Sequence, residues 1–397
     1  MMIMKNWLFI PILIFTLLLS SYSSYTPPSL VAEIDGLGND TILLFIHPLS
    51  EAVENDANLK QDTIVAKDNR FEYTVPYDGD ALVYFVPNSL TKSETGRRSL
   101  SFSGLIPVMI KSGKQVKLKG KLDGSYIEYS TDDKGFNSDY MASRNEYKNL
   151  LLGMDSLNNL IQFYTMSPQA PQNQDKLIHS LFDKRNAIRY EQDKVMVNYM
   201  KKNLDKDLSG YYLLRRPTEY FIEYYDQLEN SVKNGAFKVQ LDKMLVEAKK
   251  YEQKIENESN VKAGETAPDF TLKDIEGNDF TLSSIKGKYI VLDFWGSWCG
   301  PCISGFPHMK EYYNKYKDKV EFVGIACKDK EDKWKNAVDK AELTWVQLIN
   351  DPSRDVTVTY SIMAYPTKII LDENRKIIAF IRGESVEFYN KLDEILE

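Results

Sequence analysis

Three hydrophobic rhythms follow one another along this chain. From about Leu30 to Ser130, apolar and polar residues alternate with period two. In RFEYTVP, Phe71, Tyr73 and Val75 alternate with Glu72 and Thr74; in KQVKLKG, Val116 and Leu118 alternate with lysines. Such alternation sends successive side chains to opposite faces of a strand. Runs such as TILLFIHP and ALVYFVP are short, and the turn signals DGLGND, YDGD and KSGK separate them. Together they predict a small antiparallel β-sandwich over residues 24–132. From about Phe136 to Glu258 the rhythm becomes helical. Leu150, Met154, Leu157 and Ile161 recur at spacings of four, three and four, which places them on one helix face. MSPQAPQNQ reads as a loop, and further helices are predicted near 175–203, 208–230 and 236–257, giving a helical segment over 133–258. NESNVKAGETAP (257–268) is polar and turn-rich and marks a boundary. Strand and helix signals then alternate. KYIVLDFW is a buried strand, a helix starts around Cys299 and runs to about Tyr316, VEFVGIAC is a strand and EDKWKNAVDKAE a helix. TKIILD and IIAFIRG form a hairpin about ENRK, and SVEFYNKLDEILE is a closing helix. This order predicts an α/β domain over 261–397, a central sheet with helices on both faces.

Length and charge narrow the picture. At 397 residues the chain exceeds one ordinary core and suits two or three domains. A formal net charge of −7, with no basic stripe, argues against a nucleic-acid partner. At the N-terminus a single cation, Lys5, precedes an apolar run from Trp7 to Leu19. That run spans about 20 Å as a helix, short of a hydrocarbon core of about 30 Å. The small residues Ser21, Ser23 and Ser24 follow it, the pattern of a cleaved secretory signal over 1–23. No cysteine precedes Cys299, which argues against a lipoprotein. The expectation is an exported, periplasmic protein of a bacterial type of cell envelope.

In that setting the cysteines carry the chemistry. Cys299, Cys302 and Cys327 are the whole complement, too few for a disulfide framework. Cys-X-X-Cys at a helix start puts residues i and i+3 on one face of the first turn, close enough for the sulfurs to bond. Unpaired backbone N–H groups and the helix dipole there stabilise a thiolate, lowering its pKa from about 8.5. Cys299 is therefore the expected nucleophile and Cys302, one turn deeper, the resolving thiol. Gly300 and Pro301 keep the turn compact, and Trp298 makes an apolar shoulder beside it. Asp293 lies in an apolar strand, where a carboxylate is costly unless paired or protonated. Alternation puts it on the opposite face from Leu292 and Phe294, beneath the helix that begins at the cysteines. Burial would raise its pKa, and it could take the proton of Cys302. Cys327 ends a buried strand and reads as an inert core thiol. His47, His179 and His308 read as structural or surface histidines. With so few soft ligands no metal site is expected, and no cofactor.

Residues from about 261 to 397 resemble the thioredoxin-fold thiol–disulfide oxidoreductases, most closely the TlpA-like reductases of the cell envelope. APDFTL (267–272), Trp-Cys-Gly-Pro-Cys, Pro307 five residues after Cys302, and YPTKIILD (365–372) stand at the family's spacing. The resemblance implies that Pro366 adopts a cis peptide bond beside the cysteines and that Tyr365 offers backbone groups to an extended substrate. Trp298, Gly300, Pro301, Tyr365 and Pro366 thus make up the expected substrate surface. It also implies protein disulfides as substrates and a membrane or envelope electron donor. The small β domain before the redox domain resembles one found in such relatives. Some positions depart from the pattern: Tyr365 is bulkier than the usual residue, and the Gly-Val-x-Gly-x-Pro-Glu stretch of cytochrome c maturation relatives is replaced by SIMAYPTK. Copper delivery needs a wider cysteine spacing and a distal histidine, and the peroxidases need a threonine where Gly296 stands. The expectation is an exported reductase. A disulfide isomerase, or a non-enzymatic envelope binding module with a vestigial redox domain, stands as the alternative. Residues 24–258 hold no catalytic constellation and suit client docking or a homodimer.

Overall fold

The computed structural model describes residues 27–51, 60–91, 101–167, 169–171 and 174–397; the expected signal segment 1–23 lies outside them. The described chain forms two compact units. One runs to Ser209 and includes Asn234–Phe237, and the other comprises Gly210–Lys233 and Lys238–Glu397.

The first unit opens with eight strands: β1 (Leu30–Asp35), β2 (Thr41–Pro48), β3 (Lys60–Val65), β4 (Arg70–Tyr73), β5 (Ala81–Pro87), β6 (Ile106–Ile110), β7 (Val116–Asp123) and β8 (Tyr126–Thr131). They make two four-stranded sheets, ordered β4-β1-β7-β8 and β3-β2-β5-β6. Burial alternates with period two in β2, β4 and β7, whereas β5 and β6 are buried along nearly their whole length. Ile42, Leu44 and Ile46 from one sheet, and Ala32, Phe71 and Leu118 from the other, enter a single hydrophobic cluster. Phe71 meets Phe85 edge-on across it, with ring centroids 5.3 Å apart. One pairing corrects the antiparallel expectation: β1 runs parallel to β7, from Leu30 opposite Val116 to Asp35 opposite Lys121. The chain between them passes through the whole of the other sheet, and so long a return permits a parallel approach that a tight hairpin forbids.

Helices follow: α1 (Phe136–Glu146), α2 (Lys148–Met166), α3 (Asp175–Lys202), α4 (Asp207–Leu213), α5 (Thr218–Tyr224), α6 (Asn230–Lys233) and α7 (Lys238–Asn257). On α2 the buried positions are Leu151, Met154 and Ile161, with Leu150 and Leu157 half-buried beside them. The single helix expected over 208–230 is interrupted. Pro217 has no N–H to continue a helical ladder and instead caps the start of α5.

In the second unit the elements are β9 (Thr271–Asp274), β10 (Asp279–Thr281), β11 (Tyr289–Trp295), α8 (Gly300–Tyr316), β12 (Val320–Ala326), α9 (Glu331–Ala341), β13 (Val346–Ile349), α10 (Val356–Thr359), β14 (Thr367–Leu371), β15 (Ile377–Arg382) and α11 (Val386–Leu396). The strands form one seven-stranded sheet in the order β10-β9-β13-β12-β11-β14-β15. β11 lies near its middle, parallel to β12 and antiparallel to β14. Its alternation divides the core. Ile290, Leu292 and Phe294 belong to one cluster with Val356 and Tyr360, whereas Val291 and Trp295 join Cys299, Cys302 and Phe306 of the α8 side. α7 is fastened to this unit. Lys254 Nζ donates to the Ile362 carbonyl at 2.9 Å, and Asn257 Nδ2 to that of Val358 at 3.1 Å. Among the described residues no helix is long and apolar enough to cross a membrane.

Candidate active site

Cys299 is the N-cap of α8. Its Sγ accepts the backbone N–H of Cys302 at 3.3 Å. Pro301, in the first turn, has no N–H to offer, so the Cys302 amide is the donor that reaches this sulfur. Cys299 and Cys302 are joined as a disulfide with Cα atoms 5.3 Å apart. The two residues are nearly equally covered, at 4% and 2% exposure, so position at the helix start distinguishes them and solvent access does not. A turn above, Pro307 interrupts the ladder of α8.

The loop entering the pair is held from several sides. Asp329 accepts the Ser297 amide at 2.6 Å and the Ser297 hydroxyl at 2.7 Å. Trp298 is 53% exposed, yet its Nε1 donates to the Cys327 carbonyl at 3.1 Å. The indole folds back over Gly296, where a Cβ would stand 2.5 Å from Nε1. Gly296 is thus required for the Trp298 pose. Trp298 meets Tyr365 edge-on at 5.3 Å, and Tyr365 packs at the rim of the cluster that contains both cysteines. The Tyr365–Pro366 bond is cis. Gly300 is open on its outer side, with nothing within 4 Å of where a Cβ would stand. Exposed Ile303 and Met363 add apolar surface.

Asp293 is 1% exposed and lies on the sheet face shared with Val291 and Trp295. Burial raises its pKa; the Lys368 ammonium opposes that shift, and the Glu384 carboxylate adds to it. Lys368 pairs directly with Asp293 in the β11–β14 register. Its Nζ lies 3.7 Å from Asp293 Oδ1 and 2.7 Å from Glu384 Oε2. Cys327 is a free, fully buried thiol whose pKa is pushed up by burial. His308 is exposed and stacks on Tyr389 at 3.8 Å. Among the described residues no group of three or more His, Cys, Asp or Glu could hold a metal ion.

A reducible sulfur pair at a helix start, a carboxyl buried on the same sheet face and an apolar rim of Trp298 and Tyr365 beside the pair together describe a site for thiol–disulfide exchange. Known proteins point the same way. Residues 263–380 match the AhpC/TSA family. The chain is 34% identical over 148 residues to the thiol-disulfide oxidoreductase ResA of Bacillus cereus, a match covering 37% of this chain and 84% of that one. The chain belongs to the thioredoxin-like thiol–disulfide oxidoreductases. The thioredoxin-like protein YneN of Bacillus subtilis is 35% identical over 126 residues, covering 31% of this chain and 73% of its own. The thioredoxin domain of a thiol-disulfide oxidoreductase from Bacteroides vulgatus superposes with a TM-score of 0.32 at 30% identity, covering 34% of this chain and 99% of that one.

This oxidoreductase is therefore an enzyme with a strand-rich N-terminal region, a helical middle and a thioredoxin-like C-terminal region. Its site also contains residues that sequence reasoning passed over: Gly296 and Asp329 around Trp298, and Lys368 and Glu384 beside Asp293, with Gly305 against the Glu384 carboxylate. A lysine inside an apolar strand, in TKIILD, was the one available signal; Glu384, just past a strand end, offered none.

Proposed function

We propose that the enzyme reduces disulfides of exported proteins in the cell envelope, drawing electrons from a membrane or envelope donor. The Cys299 thiolate attacks one sulfur of a client disulfide, joining that sulfur in a mixed disulfide and releasing the other as a thiolate. Cys302 then attacks Cys299 Sγ. The mixed disulfide breaks, Cys299–Cys302 closes, and the second client thiolate leaves. The Cys302 proton goes to Asp293 and from there to solvent. The client disulfide gains two electrons and the enzyme dithiol loses them. Trp298, Gly300, Pro301, Tyr365 and Pro366 are the surface on which an extended client segment lies. The single observation that carries this reading is Cys299 as the cap of α8, its sulfur accepting the Cys302 amide. A backbone donor and a helix N-terminus favour the thiolate at that sulfur alone.

Residues 24–132 are read as a β-sandwich and 133–258 as a helical segment, the two supplying client selection or a homodimer contact, with 261–397 as the redox domain. A shared core across two sheets supports the sandwich. The test of the site is covalent. In the reduced enzyme iodoacetamide should modify Cys299 first, and Cys302→Ser should accumulate mixed disulfides with client proteins. Equal modification rates at the two thiols, with no trapped adducts, would overturn the assignment.

A further inference from the structure

Behind the cysteine pair three ionisable side chains meet that spacing along the chain does not bring together: Asp293 on β11, Lys368 opposite it on β14, and Glu384 just after β15. Lys368 is 1% exposed, yet its ammonium does not sit on the Asp293 carboxylate. It lies 3.7 Å from Oδ1, beyond hydrogen-bond reach, and 2.7 Å from Glu384 Oε2. Asp293 Oδ1 is buried without a hydrogen-bond partner. Glu384 is itself fixed twice. The Tyr389 hydroxyl donates to its Oε1 at 2.6 Å. Its carboxylate also lies against Gly305 of α8, where a Cβ would stand 2.5 to 2.9 Å from all three carboxylate atoms. Gly305 follows Cys302 by one helical turn. Helix propensity disfavours glycine there, and the space it leaves is filled by this carboxylate.

We propose that Glu384 is a positioning residue for the resolving step: by holding the Lys368 ammonium away from Asp293, it sets how readily that carboxylate accepts the Cys302 proton. The proposal rests on the reading of Asp293 as that acceptor. An ammonium in direct contact would hold Asp293 as a stable carboxylate and a weak base. Shared with a second carboxylate, it neutralises Asp293 less. Of the three side chains only Glu384 has appreciable exposure, 24%, so it is also the member in contact with solvent. The other titratable groups coupled to this cluster are Tyr389 and Cys327, and the cysteine pair, joined here as a disulfide, becomes titratable only on reduction.

Reduced full-length protein mixed with dithionitrobenzoate releases a coloured thiol twice, first when Cys299 attacks and again when Cys302 closes the disulfide. The pH dependence of the second release reads the acceptor. With Glu384→Gln, Lys368 can close on Asp293, and the inflection should move to lower pH by about one pH unit, the first release keeping its profile. Gly305→Ala displaces the carboxylate from the helix side without removing its charge and should shift the inflection the same way. In an Asp293→Asn background Glu384→Gln should change nothing further. If both variants keep the wild-type inflection while Asp293→Asn removes it, Glu384 is structural and the proposal falls alone. If Asp293→Asn keeps the inflection, the acceptor reading falls and carries the proposal with it.

Discussion

Burial of a carboxyl group that is 1% exposed penalises its charged form, and for Asp293 this has a consequence for stability as well as for chemistry. Because its folded pKa is raised, the group contributes stability below the ordinary carboxylate range and loses it as pH rises through the folded value. Asp293→Asn should therefore stabilise the oxidised enzyme at neutral pH, and the gain should vanish in acid, where the wild-type side chain is also neutral. Urea unfolding across pH measures this; a loss of stability at neutral pH would mean that the Lys368 pairing outweighs burial. Lys368 responds differently. Removing its ammonium by Lys368→Met leaves Asp293 and Glu384 without their shared cation, a change that typically costs roughly 3–5 kcal/mol for a buried pair. That contrast separates the two residues. Asparagine at 293 leaves Lys368 its contact with Glu384 at 2.7 Å, whereas methionine at 368 leaves neither carboxylate compensated.

At the level of elements, the sheet and its helices were legible because each is long enough for its rhythm to show: KYIVLDFW for β11, a cysteine-capped start for α8, VEFVGIAC for β12. The neighbours of Asp293 were not, since only sheet order places β14 against β11, and Glu384 arrives from a turn that reads as solvent-facing. The parallel β1–β7 pairing was hidden for the same reason, strand order being a property of long connections. The attachment of α7 was also invisible, because Lys254 and Asn257 look like surface positions near a linker. Yet they bond the carbonyls of Ile362, on the loop that leads to Pro366, and Val358, in α10 just before that loop. Lys254→Met should cost about 1 kcal/mol, the usual size of one hydrogen bond, and slow turnover of protein clients more than that of dithionitrobenzoate. Equal slowing of both would place the effect on the whole fold. α11 is held in another way. Asp393 accepts from Lys315 at 2.8 Å, Tyr312 at 2.8 Å and Tyr316 at 2.5 Å on α8, and these donors lower its pKa to about 2. A lowered folded value means a contribution present above the unfolded carboxylate pKa and lost as pH falls toward about 2. Protection of the α11 amides, measured against their intrinsic exchange rates, should fall over that window and already be low at neutral pH in Asp393→Asn.

The molecule as a whole is much larger than its chemistry requires. The family match covers residues 263–380, while a separate compact unit extends to Ser209 with its own core. That core is built from side chains of two sheets together with Met141 and Leu151 of the helices that follow, and the proposed mechanism uses none of its residues. The proposed function gives this unit a binding role. The redox unit extends further back than its motifs do: Glu258 pairs with Arg382 at 3.0 Å, and α5 and α7 belong with the sheet of the cysteine pair. These contacts decide where a dissection should cut. A fragment of 210–397 should stay folded and reduce dithionitrobenzoate at the rate of the full chain. A fragment of 261–397 forfeits the bonds from Lys254, Asn257 and Glu258 and should melt at lower temperature. If the N-terminal unit selects clients or joins two copies, the 210–397 fragment should lose its preference among envelope proteins or run as a monomer where the full chain runs as a dimer, with chemistry unchanged. Light scattering and competition between client proteins read the two outcomes separately. A fragment that matches the full chain in client preference and in number of copies per assembly would leave the N-terminal unit without either role.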